Sequence, residues 1–343
     1  MQSFRRTPPL LAPLAGALLA LLPACSGDRV VTPAPAVTQD DIVAGTLLTV
    51  VSGETKGPVV GATVVVAGRS YTTDGSGGVR LGEAVPRGSL VDVVASGFLD
   101  RQTSIRTSES TRLSLWPRTS ATGLDEQATA ELVYTAGAFC CPADALATQP
   151  LRRVAPAIGS FDVVLDARYA GDAGIRAVVQ EAASLAGGAS HARVVFTPTE
   201  TGTGTGARVD ITTGPDPENR PNVAAFTERR LDAQGYITGG RVVFVVDEFL
   251  TSPRSRRIAV NIVAHELGHM LGLGHSSTPG LKSVLAGVGT HYAYFAATGD
   301  FSPTEKLVLD LMYDRRSGTR FPDNDRSAAL TSAVRRERIV CRF

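Results

Sequence analysis

Three of the chain's five histidines fall in one short stretch, HELGHMLGLGH, running from His265 to His275. His265 and His269 are four residues apart, so on a helix their imidazoles stack one turn apart on one face and reach the same metal ion. Glu266, beside His265, can hold a water on that ion. Two imidazoles are not enough, because a catalytic zinc ion takes three protein ligands and keeps a further position for water or substrate. A continuing helix would carry His275 to the wrong face. Gly272 supplies the break: without a Cβ it takes positive φ at little cost, and the chain can turn back toward the ion. These residue types at this spacing fit a metal site with His265, His269 and His275 as ligands and a water held by Glu266.

Such a pattern works only if a scaffold fixes it. From residue 158 strand and helix patterns alternate. FDVVLDA (161–167), ARVVFTP (192–198), ARVDITT (207–213), VAAFTE (223–228) and GRVVFVVDE (240–248) read as strands. AGIRAVVQEAASLAG (173–187) has apolar residues at helical spacing behind Asp172, an N-cap residue type. Ser252 and Pro253 are the expected cap and first residue of the histidine helix. The order predicts an α/β (α+β) domain over 158–343, with a twisted mixed sheet and the histidine helix beneath it.

HELGHMLGLGH matches H-E-x-x-H-x-x-G-x-x-H at every fixed position, and so resembles the metzincin zinc peptidases. Ser276 after the third histidine is similar to the matrixin subfamily. The resemblance implies one catalytic Zn2+ on His265, His269 and His275, and a zinc-bound water that Glu266 deprotonates to hydrolyse a peptide bond. It also implies a peptide substrate lying antiparallel to an edge strand, for which VAAFT (223–227) is the candidate. Structural Ca2+ is compatible with the family and has no signature here.

Metzincins carry a methionine turn under the metal, and here its methionine is missing. In the segment after His275, SVL stands where related families have SVM, so Leu285 is the expected Met-turn position. Met312, in LMY, is the alternative. However, FSPTEKLVLDLMY opens with Ser302-Pro303-x-Glu305 and has helical periodicity, which assigns Met312 to a helix. Tyr313 would face the reacting centre only if Met312 were the turn. His291 is a weak candidate for lining the cleft, and His191 reads as a solvated residue.

The first 24 residues read as a signal peptide: Arg5 and Arg6, then LLAPLAGALLALLPA. The stretch ends in LPAC, which resembles the lipobox of bacterial lipoproteins and implies lipidation of Cys25. The expected location is the outer membrane or cell surface, with membrane contact through the lipid anchor only. Residues 25–40 read as a tether. Over 41–117 short apolar runs between turn clusters predict a small all-β sandwich. GPVVGATVVV, the Thr73-Asp74-x-x-Gly77 turn and Ala95-Ser96-Gly97-Phe98 resemble the carboxypeptidase regulatory-like domain. Asp74 is expected to form its turn rather than to bind metal. Residues 118–157 read as a connector with one short helix in GLDEQATAELVYTAG.

Export permits disulfides. A bridge from one of the adjacent pair, Cys140 or Cys141, to Cys341 is the simplest pairing, with Cys141–Cys341 the possible disulfide, while Cys140 or Cys141 could instead block the zinc, as a pro-segment cysteine does in matrixins. A formal net charge of +1 gives no reason to expect nucleic acid. The leading reading is an exported, lipid-anchored zinc metalloendopeptidase. The alternative is a non-catalytic surface lipoprotein that uses a degenerate metzincin domain for binding.

Overall fold

A computed structural model describes residues 41–42, 44–105, 111–134, 150–199, 207–219, 223–251, 255–275, 284–285, 299–325 and 336–342. The expected signal peptide (1–24) and tether (25–40), with Cys25, lie outside them, as do Cys140, Cys141, Ser252, Pro253, Ser276 and His291. The chain is mixed α/β, with several sheets and few helices. No helix among the described residues is long and apolar enough to cross a membrane.

Nine short strands form the first lobe: β1 (Asp41–Ile42), β2 (Leu47–Ser52), β3 (Thr63–Val66), β4 (Arg69–Thr72), β5 (Gly78–Arg80), β6 (Val85–Pro86), β7 (Leu90–Val94), β8 (Arg101–Ser104) and β9 (Thr111–Leu115). One sheet has the order β5-β2-β9, a second β4-β3-β7-β8, and β1 pairs with β6. Alternate residues point to opposite faces of a strand. Val64 and Val66 on β3, and Val91 and Val93 on β7, therefore turn inward together. They meet Leu48, Val50, Leu113 and Leu115 of the other sheet in one core. Asp74 is a turn residue, as expected: its Oδ1 accepts from the Ser76 and Gly78 amides at 2.8 and 2.9 Å.

The second lobe begins with α1 (Glu126–Tyr134) and continues through β10 (Ser160–Leu165), α2 (Ala167–Ala170), α3 (Ala173–Ala189), β11 (Val195–Thr199), β12 (Ala207–Thr213), β13 (Val223–Leu231), β14 (Ile237–Phe244), α4 (Glu248–Thr251), α5 (Arg256–Leu271), α6 (Pro303–Tyr313) and β15 (Arg336–Arg342). Its sheet has the order β11-β10-β12-β14-β13-β15. Strands β10, β11, β12 and β14 are mutually parallel where they pair, and β13 is antiparallel to both β14 and β15. Helices α3 and α5 pack against each other, and α5 lies on β13 and β14. Asp172 caps α3 through the amides of Gly174 and Ile175. The connector is part of this lobe, since Leu132, Tyr134, Leu151 and Val154 are in its core. Leu99 and Trp116 of the first lobe enter that same core. Residues Gln39–Phe343 form one compact unit.

Three expectations change here. Ser255, not Ser252, caps the histidine helix, its Oγ accepting from the Ile258 amide. The strand VAAFT is not an edge, because β15 pairs along its outer side from Arg230↔Arg336 to Val223↔Arg342. Cys341, on β15, is a free buried cysteine and not half of a bridge to Cys141.

Candidate metal centre

Helix α5 is buried from Ala259 to Leu271, all of it beyond its first three residues. It stops at Gly272, which takes φ 116°. The Gly272 amide bonds to the His269 carbonyl at 3.0 Å, and the Leu273 amide reaches back to the Gly268 carbonyl at 3.2 Å. This pair is a Schellman ending. A Cβ at Gly272 would overlap the Arg152 carbonyl oxygen, so both φ and space demand glycine. Arg229 on β13 locks the turn from the sheet side. Its Nε donates to the His269 carbonyl and its Nη2 to the Leu273 carbonyl, each at 2.7 Å.

The turn delivers His275. The Nε2 atoms of His265, His269 and His275 form a triangle with every side 3.2 Å. The Nδ1 atoms of His265 and His269 each lie 2.9 Å from a carbonyl oxygen, of Val284 and Leu273 respectively. A carbonyl only accepts, so each Nδ1 carries the ring proton and donates it. In these neutral rings each Nε2 then presents a bare lone pair to the others. Lone pairs converging this closely could share one cation. A proton does not fill that role well, since burial and the neighbouring imidazoles hold His269 well below the usual histidine range. The Sγ of Cys341 lies 3.4 Å from His269 Nε2 and 3.5 Å from His275 Nε2. The four ligand atoms all fall within 4.8 Å of one another, and the group could bind a metal ion.

Glu266 is fully buried. Its Oε2 accepts from the Thr227 hydroxyl at 2.6 Å, while Oε1 is buried with no partner of good hydrogen-bonding geometry. Burial pushes the carboxyl up to about 7, against the opposing pull of the Thr227 hydroxyl and the Cys341 thiol. Cys341 faces the same carboxyl, and burial and then the Glu266 charge push its thiol well up.

Leu285 lies under the helix face between His265 and His269. Gly268 leaves room for it: a Cβ there would come within 3.3 Å of both Leu285 methyl carbons and of Phe301. Met312 is on α6, its Cε against Gly272, so it packs behind the turn. Because Leu and Met are close in volume, Leu285→Met is expected to change stability by less than about 1.5 kcal/mol and to leave metal stoichiometry unchanged. A chemical-denaturation curve with metal analysis checks this. Tyr313 donates to the Leu271 carbonyl at 3.2 Å, and His191 is exposed near Asp310. Neither reaches the centre.

One support escaped the sequence reading although its residue was noted. Ser302 and Glu305 form the expected capping box of α6, and the same carboxylate accepts the Leu285 amide through Oε1 at 2.8 Å. Glu305 thus ties α6 to the 284–285 segment, and through the Val284 carbonyl to His265. Outer groups that orient metal-bound histidines are worth about 10- to 100-fold in affinity. Glu305→Ala is expected to weaken metal binding by an amount near the lower end of that range, read by competition with a chromophoric chelator. Cys341 was missed as a candidate ligand. The available signal was the strand-like run RERIVCR, whose alternation puts Glu337, Ile339 and Cys341 on one face. Across β13, whose Thr227 and Arg229 touch α5, those residues sit opposite Arg229, Thr227 and Ala225. Compared with known proteins, the chain matches no protein-family model and no curated protein.

Proposed function

We propose that this chain is an exported zinc metallopeptidase of metzincin type, anchored through a lipid on Cys25. The observation that carries the reading is the triangle of three imidazole nitrogens with an unpartnered, buried carboxylate oxygen beside it. Nitrogens bound at about 2.0–2.1 Å around a tetrahedral zinc ion are spaced about 3.3–3.4 Å apart, close to the 3.2 Å found here. Neutral imidazoles with protonated Nδ1 are also the form that ligates through Nε2.

His265, His269 and His275 would hold the ion, which when bound supplies Lewis acidity to a carbonyl and to water. Glu266 does the proton work: Thr227 fixes Oε2, so Oε1 is the atom that accepts a proton and later returns it to a leaving amine. Strand β13 is paired with β14 on one side and β15 on the other, so an extended peptide could pair along it only where β15 is displaced.

The presence of a fourth ligand favours a second reading, a non-catalytic surface protein with a closed metal site, since structural zinc sites are four-coordinate. The buried Glu266 argues against it, because an orphaned carboxylate oxygen is costly and a purely structural site has no use for one. Metal analysis of the purified chain, with cleavage of a denatured protein before and after chelation, tests the proposal. Stoichiometric zinc and chelator-sensitive cleavage are expected. Zinc without cleavage, with the fourth position opened by Cys341→Ser, would sink the peptidase reading.

A further inference from the structure

Strand β15 occupies the three places a peptide substrate would need. It pairs antiparallel along the outer edge of β13 over seven residue positions, Arg336 to Arg342. It puts Cys341 Sγ beside two of the three imidazole nitrogens. It also turns that thiol toward Glu266, the proposed base.

The strand is well anchored. Ile339, Val340 and Cys341 are buried, with Val340 joining Val223, Phe226 and Val243 on the face away from α5. Arg338 bonds Glu218 at 2.9 Å and Glu228 at 3.2 Å. Glu337 meets Arg229 at 3.2 Å and Arg152 at 3.6 Å. Since Arg229 also holds the Gly272 turn, the anchor of β15 and the support of the ligands share one side chain.

From this juxtaposition we infer that β15 is an autoinhibitory strap, with Cys341 as fourth, displaceable ligand of the metal. A thiolate sulfur and an imidazole nitrogen on one tetrahedral zinc ion are about 3.5 Å apart, and Cys341 stands 3.4 and 3.5 Å from His269 and His275. Catalytic zinc sites keep a position open, and a fourth protein ligand removes it. Metal binding would release the thiol proton to solvent. Opening returns a proton to the sulfur, lets water into the vacated position and frees the β13 edge. The chain as folded is therefore a latent form, and its activity is set by the fraction of molecules with β15 detached. The inference rests on the peptidase reading for its consequence but not for its ligand assignment.

Two measurements on the full-length chain test it. X-ray absorption of the zinc-loaded protein reads the ligand set without any variant: one sulfur with three nitrogens is expected, and a shell without sulfur overturns the strap. Cobalt-loaded protein should show a thiolate-to-cobalt charge-transfer band that is lost in Cys341→Ser and Cys341→Ala with cobalt stoichiometry retained. A band that survives both changes assigns the sulfur to another cysteine and also overturns it. The variants should cleave denatured protein roughly tenfold faster than the parent or more, the ratio expected if the strapped state holds about nine-tenths of molecules. Equal cleavage by parent and variants would leave the peptidase standing and the strap refuted. A Cys341-dependent band with no cleavage by the parent, by these variants or by a Cys341→Ser chain in which Arg338→Ala and Val340→Ala also loosen β15 would refute peptidase and latency together, leaving only a four-ligand metal centre.

Discussion

Glu266→Ala is expected to lower kcat/KM for protein cleavage by about 10²- to 10⁴-fold, the usual contribution of a positioned general base, while zinc content stays the same. The two halves of that expectation have separate causes. The metal is held by imidazoles whose orientation is set by the Val284 and Leu273 carbonyls, and neither contact involves Glu266. The proton work depends on a carboxyl with one oxygen fixed by Thr227 and the other without a partner. Removing a buried carboxyl with an orphaned oxygen should also relieve a desolvation cost. Glu266→Gln is accordingly expected to be at least as stable as the parent while losing activity. The comparison is made in the parent and in the Cys341→Ser chain, so that a closed fourth position does not mask the loss. Retention of cleavage within a few-fold would remove Glu266 from the role.

Asp323→Ala is expected to be the most destabilising single change, by about 3–5 kcal/mol, the range for stripping one partner from a buried ion pair. Arg315 and Asp323 are almost fully buried and meet in a bidentate contact, with Nη2 2.6 Å from Oδ2 and Nε 3.0 Å from Oδ1. Arg315 also donates to the Ser114 carbonyl and hydroxyl and to the Leu311 carbonyl, and lies over Trp116. Arg101, fully buried beside it, donates to the same Ser114 carbonyl. Burial and the Arg315 charge hold the Arg101 guanidinium down to about 10. Loss of Asp323 leaves Arg315 without its direct counter-charge and the two guanidinium groups less screened from each other. The cluster joins β9 of the sandwich to the segment after α6, so both lobes should unfold in one shifted transition. Trp116 is the chain's single tryptophan, and its fluorescence during denaturation reports on this joint. A shift below about 1 kcal/mol, the scale of a solvated surface pair, would show that the network adds little.

Much of the site is legible residue by residue because its determinants are local. A four-residue spacing becomes a shared helix face through backbone geometry alone, and a glycine after the last helical turn becomes a reversal because only it tolerates the φ required. The Asp172 cap and the Ser302–Glu305 box follow for the same reason, as their partners lie within three residues. Leu285 was singled out by its distance from His275, and the structure packs it against Gly268. The sandwich was readable from strand runs and turn clusters, although its fusion to the second lobe was not. Leu99 and Trp116 look like ordinary sandwich residues, and only packing decides which core receives them.

The sequence by itself therefore determined the three histidines, their carboxylate neighbour, the turn that unites them and the elements that carry them. Only the tertiary structure decided what closes the centre. Cys341 is 66 residues beyond His275, and no local rule relates the two. Their meeting depends on β15 choosing the outer edge of β13 in one register. A slip of one residue would turn Cys341, Ile339 and Glu337 to the opposite face of the sheet. That register is fixed by contacts from distant segments, Val340 against Phe226 and Glu337 against Arg229, and such long-range pairings leave no periodic trace in the chain.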